Sequence, residues 1–160
     1  MNDFLRIYLK DQLALGVAWR ELARRSKGSN KGSALGEALE LVSAGIAEDV
    51  ETFKQIMRRL GIRPDPVKTG FAVVAERIGR LKPNGRLTSY SPLSRFEELE
   101  FLVMGIQGKK QLWTTLRDLA GLGASLPEFD FDALIDRAEQ QLQALEPHRV
   151  RAGVEALELR

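Results

Sequence analysis

The sequence predicts an all-α protein built as an antiparallel four-helix bundle. Three observations carry that prediction. Apolar residues recur every three or four positions through long segments, the period that lines one face of a helix. Those segments are punctuated by cap-forming residues, proline and glycine where helices start and stop. No stretch alternates apolar and polar residues in the way a half-buried strand requires.

The first helix is expected from about Asp3 to Arg25, capped by Asn2 or Asp3. Phe4, Tyr8, Leu15, Trp19 and Leu22 mark its apolar row, and Glu21 stands four residues before Arg25 as a favourable surface pair. Residues 26–33, with two glycines and three serines, read as a loop. The second helix is the clearest. Leu35, Leu39, Val42, Ile46, Val50, Phe53, Met57 and Leu60 hold the period throughout, Ser33 can cap it, and Gly61 sits where a left-handed residue ends a helix. Asp65-Pro66 announces a short third helix, with Val67, Phe71, Val74, Ile78 and Leu81 as its row, ended by Pro83-Asn84-Gly85. Residues 84–91 read as an irregular connection.

Ser91-Pro92 starts a fourth helix to about Ala120, with Phe96, Leu99, Val103, Ile106, Trp113 and Leu116 buried. Gly105 and Gly108 cost helicity there, so close approach of a neighbouring helix is the expected compensation. Gly121-Leu122-Gly123 stops it. Asp130 caps a fifth helix whose row is Phe131, Leu134, Ala138, Leu142 and Leu145. Pro147 is expected to kink or interrupt this helix, with the row resuming at Val150, Val154 and Leu157. Four of these helices are long. The third, together with residues 84–91, becomes a crossover between two helix pairs. One long crossover after the second helix is the ferritin-like topology.

Composition narrows the function classes. The 160 residues suit one domain, taken as residues 1–160, and can bury a core without staples. Hydrophobic residues at 44% and charged residues at 29% describe a globular chain, not a disordered one. There are no cysteines, which excludes disulfide frameworks, thiolate zinc sites and cysteine nucleophiles. The N-terminal residues show no basic region leading into an apolar run, and no uninterrupted apolar stretch could span a bilayer. A cytoplasmic, non-membrane protein is therefore expected. The net charge is +2 from 24 Lys+Arg and 22 Asp+Glu, a balance that says little about partners.

Three stretches carry a family resemblance. Asp11-Gln12-Leu13-Ala14, then Glu48-Asp49-Val50-Glu51 before Leu60-Gly61, and the run from Leu81 to Leu93 resemble small uncharacterised ferritin-like proteins of actinobacteria. The helix layout is more distantly similar to bacterial stress-induced ferritin-like proteins. The resemblance implies a ferritin-like fold and descent from metal-carboxylate proteins.

A di-metal bundle centre takes a Glu from each of two helices and Glu-x-x-His from each of the other two. This chain has no Glu-x-x-His. Its one histidine, His148, follows Glu146 by two residues across Pro147, a spacing that points side chains apart on a helix. The acidic residues nearest apolar rows are Asp49 and Glu100, and Glu48 and Glu98 are also candidates if the helix rotation differs by one position. A partial metal site would draw on Asp11, Glu48 or Asp49, Glu98 or Glu100, and Glu146 or His148, and would take iron or manganese. The competing expectation is a bundle in which ion pairs replace the metal, with Lys109, Lys110 and Arg20 as the cations. No cofactor is assigned on that view.

Other chemistries find no support. Lys31-Gly32-Ser33 precedes a helix but lacks the order and the preceding strand of a phosphate loop. One histidine cannot supply a nucleophile–base–acid set by itself. Basic residues cluster at Arg24, Arg25, Lys27 and Lys31, and again at Arg77, Arg80, Lys82, Arg86 and Arg95 around Tyr90. Acidic residues intersperse both, so solvated surface is favoured over nucleic-acid binding. The function expected is non-enzymatic, a stress-related or protein-interaction role with a homodimer as candidate assembly. Metal-carboxylate chemistry with an atypical ligand set is the alternative.

Overall fold

A computed structural model describes residues 2–65 and 89–159, with Ala72, Glu76 and Gly79 singly between them. The described residues are all helical in their regular structure, with no strand among them. Apart from those three residues and Asp65, the expected third helix lies outside the described residues, as do residues 84–88.

Four long helices dominate: α1 (Asp3–Ser29), α2 (Ala34–Arg59), α3 (Pro92–Thr114) and α5 (Phe131–Leu157). Between α3 and α5 come a π-helical turn, Thr115–Leu119, and the single-turn α4, Leu122–Ser125. The caps are those the sequence signals. Asn2 accepts from the Phe4 amide, Ser33 from Gly36, Ser91 from Ser94 and Asp130 from Ala133, each satisfying an amide that has no partner within its helix. Gly61 and Gly121 adopt positive φ, 71° and 68°, a conformation that suits glycine at the ends of α2 and of the π-helical turn.

Two expectations about helix limits change. α1 runs on to Ser29 instead of stopping at Arg25, and its C-cap Asn30 donates its side-chain amide to the Ser26 carbonyl. The loop is thus residues 30–33. Pro147 does not interrupt α5, which continues unbroken to Leu157.

α1 packs on α2, α3 on α5, α1 on α3 and α2 on α5. The contacts give the directions. Trp19 meets Phe101 while the later Arg25 meets the earlier Glu98, so α1 and α3 are antiparallel. Asp49 meets Arg137 and the later Arg59 meets the earlier Glu128, so α2 and α5 are antiparallel. Phe96 lies against Gly153 at the start of α3 and the end of α5. α1 and α5 therefore point one way, α2 and α3 the other.

The core has two apolar clusters. One gathers Leu9, Leu13, Phe53, Met57, Leu112, Trp113, Leu116 and Phe131. The other gathers Leu22, Leu39, Val42, Ile46, Leu99, Leu102, Ile106 and Leu145. Burying each such side chain contributes roughly 1.5–3 kcal/mol. Two apolar rows are displaced from expectation. In α1, Phe4 and Leu15 face outward while Leu9, Leu13, Ala14, Ala18 and Leu22 are buried. In the last turns of α5, Val150, Val154 and Leu157 are exposed and Ala152 is buried. The inward faces use small residues because neighbouring helices come close. A Cβ on Gly153 would lie 2.9 Å from the Phe96 ring.

Candidate functional site

The two apolar clusters meet at a buried polar layer. On α2, Asp49 falls between Ile46 of one cluster and Val50 of the other. On α3, Lys109 falls likewise between Ile106 and Leu112. Asp49 is 2% exposed, and both of its carboxylate oxygens are engaged. Oδ2 accepts from Lys109 Nζ at 2.5 Å, and Oδ1 accepts from Arg137 Nε at 2.9 Å and from Arg137 Nη2. Lys109 also donates to Gln141 Oε1, and Arg137 reaches the exposed Glu48. Charges from α2, α3 and α5 thus neutralise one another across three helices. Burial pulls the Lys109 ammonium below its ordinary pKa, while the Asp49 charge and hydrogen bond oppose the shift.

A second buried carboxylate, Glu98 on α3, is 1% exposed. Arg25 of α1 lies 3.3 Å from its Oε1, and the Tyr90 hydroxyl donates to Oε2 at 3.0 Å. Asn30 donates to the Tyr90 oxygen and accepts from Arg95, whose guanidinium stands 5.5 Å over the Tyr90 ring. Burial, then the Glu98 charge, pushes the Tyr90 hydroxyl up to about 12. This cluster ties the α1–α2 turn to the entry of α3.

The remaining expected ligands are placed apart from these two. Asp11 is exposed on α1. Glu100 and Glu146 share Arg149 near the surface, and Arg149 holds Glu146 below the usual carboxylate range. His148 is half-buried on α5. Among the described residues no group of three or more acidic or histidine side chains is arranged to hold a metal ion. The donor chemistry agrees. A cation at Asp49 would sit beside Lys109 and Arg137, and one at Glu98 beside Arg25, so these carboxylates do not fit a di-metal centre as they stand. Of the cations expected to pair, Lys109 takes Asp49, Lys110 takes Glu139 and Arg20 approaches Glu51. Spacing in the sequence assigns none of these roles to Arg137, Gln141, Arg25 or Tyr90. The only signal is that Arg137 and Gln141 flank the α5 apolar row four residues apart.

Alongside the polar layer lies a cavity of about 310 Å³ between α1, α2 and α3. Leu13, Ile46, Val50, Phe53, Ile106 and Trp113 are among its walls, with Asp49 and Lys109 at one side. Trp113 is 1% exposed, and its Nε1 has no acceptor among the described residues. Gly16, Gly105 and Gly108 also line it.

No family model, curated protein or solved structure matches this chain. No helix among the described residues is long and apolar enough to cross a membrane. The basic Arg24–Lys31 stretch is partly spent on ion pairs, since Arg24 takes Glu21 and Arg25 takes Glu98. The second basic cluster lies outside the described residues except for Arg95.

Proposed function

We propose that this protein is a ferritin-like four-helix bundle with a scaffold role, in stress response or protein interaction, whose interior carboxylates are held by protein cations in place of a metal. The topology supports the fold. α2 and α3 run parallel, so Arg59 and Pro92 stand at opposite ends of the bundle, as a single long crossover requires. The observation that carries the function is Asp49, buried with both oxygens committed to Lys109 and Arg137. A buried pair of this kind is strongly coupled, and removing one partner costs about 3–5 kcal/mol. It therefore resists giving up its carboxylate to an incoming ion.

The deciding experiment is elemental mass spectrometry on untagged protein, loaded anaerobically with ferrous iron or manganese and desalted. Substoichiometric metal is the expected result. One or two retained ions per chain, lost in Asp49→Asn or Glu98→Gln, would overturn the proposal in favour of metal-carboxylate chemistry handling iron, manganese or peroxide. The proposal includes a homodimer, motivated by the exposed row Val150, Val154 and Leu157 along one side of α5. Sedimentation at rising concentration reads it, and a persistent monomer removes that part.

A further inference from the structure

We propose that Lys109 and Gln141 become joined by an isopeptide bond, a covalent link between α3 and α5 that forms within the folded chain with Asp49 as its acid–base group. The three side chains come from three helices and meet at one point. Lys109 Nζ donates to Gln141 Oε1 and to Asp49 Oδ2, at 2.5 Å in each case. All three lie in the polar layer between the two apolar clusters, with Asp49 and Gln141 buried and the Lys109 side chain 14% exposed. A nucleophile held against a carbonyl in this way stands at an effective concentration that no solution reaches. Burial pulls the ammonium below its ordinary pKa, which brings the uncharged, nucleophilic amine within reach. The other end of the amide is free to leave, since Gln141 Nε2 is buried with no partner among the described residues. Buried side-chain nitrogens are seldom left so.

The bond balances without an outside reagent. Asp49 Oδ2 takes a proton from Lys109 Nζ, and the freed lone pair attacks Gln141 Cδ. The carbonyl electron pair moves onto Oε1. Both nitrogens then share one carbon, so the Asp49 carboxyl that bonds to Nζ also reaches Nε2. Two protons pass from Nζ to Nε2 by way of Asp49, the Oε1 pair returns to the carbon, and the bond from Cδ to Nε2 breaks. The nitrogen leaves as ammonium, so one cation departs for the one consumed. Asp49 ends ionised and still held by Arg137 through Oδ1. One amide replaces another, so the exchange is nearly isoenergetic, and escape of ammonium to solvent drives it. Burial of Gln141 keeps out the water that would otherwise attack Cδ. The chain has no cysteines, so this is a covalent tie that disulfides cannot supply. Chains not yet linked keep the Asp49–Lys109 ion pair and its energetics.

The test is the mass of the denatured full-length chain, measured after the purified protein has been kept folded for a week. A deficit of one ammonia, about 17 Da, is expected. Tryptic digestion should yield residues 96–110 joined to residues 138–149, with fragmentation placing the link at Lys109 and Gln141. Lys109→Arg and Asp49→Asn should each show the full sequence mass. Gln141→Met leaves every charge in place and covers the failure of either charge variant to fold. It should show the full mass in a chain whose circular dichroism matches wild type. A wild-type chain at its full sequence mass would overturn the proposal. So would a deficit traced to Asn84-Gly85, where closure to a cyclic imide loses the same ammonia, or a deficit of one water, about 18 Da, joining Lys109 to Asp49. Linkage that persists in folded Asp49→Asn would remove the acid–base role and overturn it as well. The bond needs only these three side chains, so its mass signature is read independently of metal retention.

Discussion

Replacing Gly105 by alanine should destabilise the protein even though alanine is the better helix former. Gly105 lies inside α3, where glycine costs roughly 0.5–1 kcal/mol relative to alanine. A Cβ there would fall 1.5 Å from Trp19 Nε1 and 1.7 Å from Cδ1. No small adjustment relieves that overlap, so the indole must leave. In leaving it breaks the bond from Nε1 to the Phe101 carbonyl, which is 2.7 Å long. Stranding that donor costs about 1–3 kcal/mol. Dislodging a half-buried tryptophan from the cluster around Leu22 and Leu102 adds about 1–2 kcal/mol, less than the 3–5 kcal/mol of a complete truncation. Set against the helical gain, the net loss is about 2–4 kcal/mol, or a fall in Tm of very roughly 5–15 °C for a domain of this size. Urea unfolding followed by circular dichroism measures it. Gly108→Ala is the control, expected to gain up to about 1 kcal/mol because nothing opposes its Cβ. A Gly105→Ala variant as stable as wild type would refute the close-approach argument. So would an equal loss in a Trp19→Ala background, where the clash no longer exists.

Three further perturbations test other parts of the structure. Asp49→Asn should cost about 3–5 kcal/mol by leaving Lys109 buried without its counter-charge, whereas D49L/K109M should recover most of the loss, as read by denaturant midpoints. Tyr90 holds its proton to about pH 12 when folded, against about 10 for an unfolded tyrosine, so the unfolded chain loses that proton first. Stability should then fall across pH 10–12, and Tyr90→Phe should flatten that slope; an ultraviolet titration, differenced against Tyr90→Phe, that places the Tyr90 ionisation near pH 10 would contradict it. Pro147→Ala should stabilise by about 1–3 kcal/mol, since it restores an amide donor inside an uninterrupted helix, and a lower Tm would show that the ring is making a contact worth more than that bond.

Much of the fold is legible in the sequence because its signals are local. Asn2, Ser33, Ser91 and Asp130 cap helices through bonds to amides two or three residues away, and the row from Leu35 to Met57 is buried as its spacing indicates. What hides is anything that depends on how near a neighbour comes. Ala14, Ala18, Ala152 and Gly153 look like weak candidates for a core, yet they form it where helices touch, and the bulkier Phe4, Leu15, Val150 and Val154 are left outside. Gly28 reads as a helix breaker, but α1 continues past it to Ser29, where the C-cap Asn30 bonds back to Ser26. The candidate site divides in the same way. Asp49 continues a visible row, and Lys109 was a nameable partner. Arg137 comes from 88 residues beyond Asp49 and Gln141 from 32 residues beyond Lys109, and no spacing rule links positions so distant.

The layer of Asp49, Lys109 and Arg137 also bears on alignment between helices. Apolar side chains are interchangeable enough that a helix can slide by one turn, about 5.4 Å, and still find oily neighbours. Sliding α3 by that step would carry Lys109 away from Asp49 and into the Leu39–Leu102 region or toward Trp113, an unpaired charge in either direction. A single charged rung can thereby specify one register among several of similar packing energy, the best-attested use of buried polar groups. On this hypothesis D49L/K109M would come close to the wild type in stability and yet be the less singular molecule. Its amide spectrum would show more than one set of peaks for α3, and a single sharp set would mean that Trp19 against Gly105 already fixes the alignment unaided.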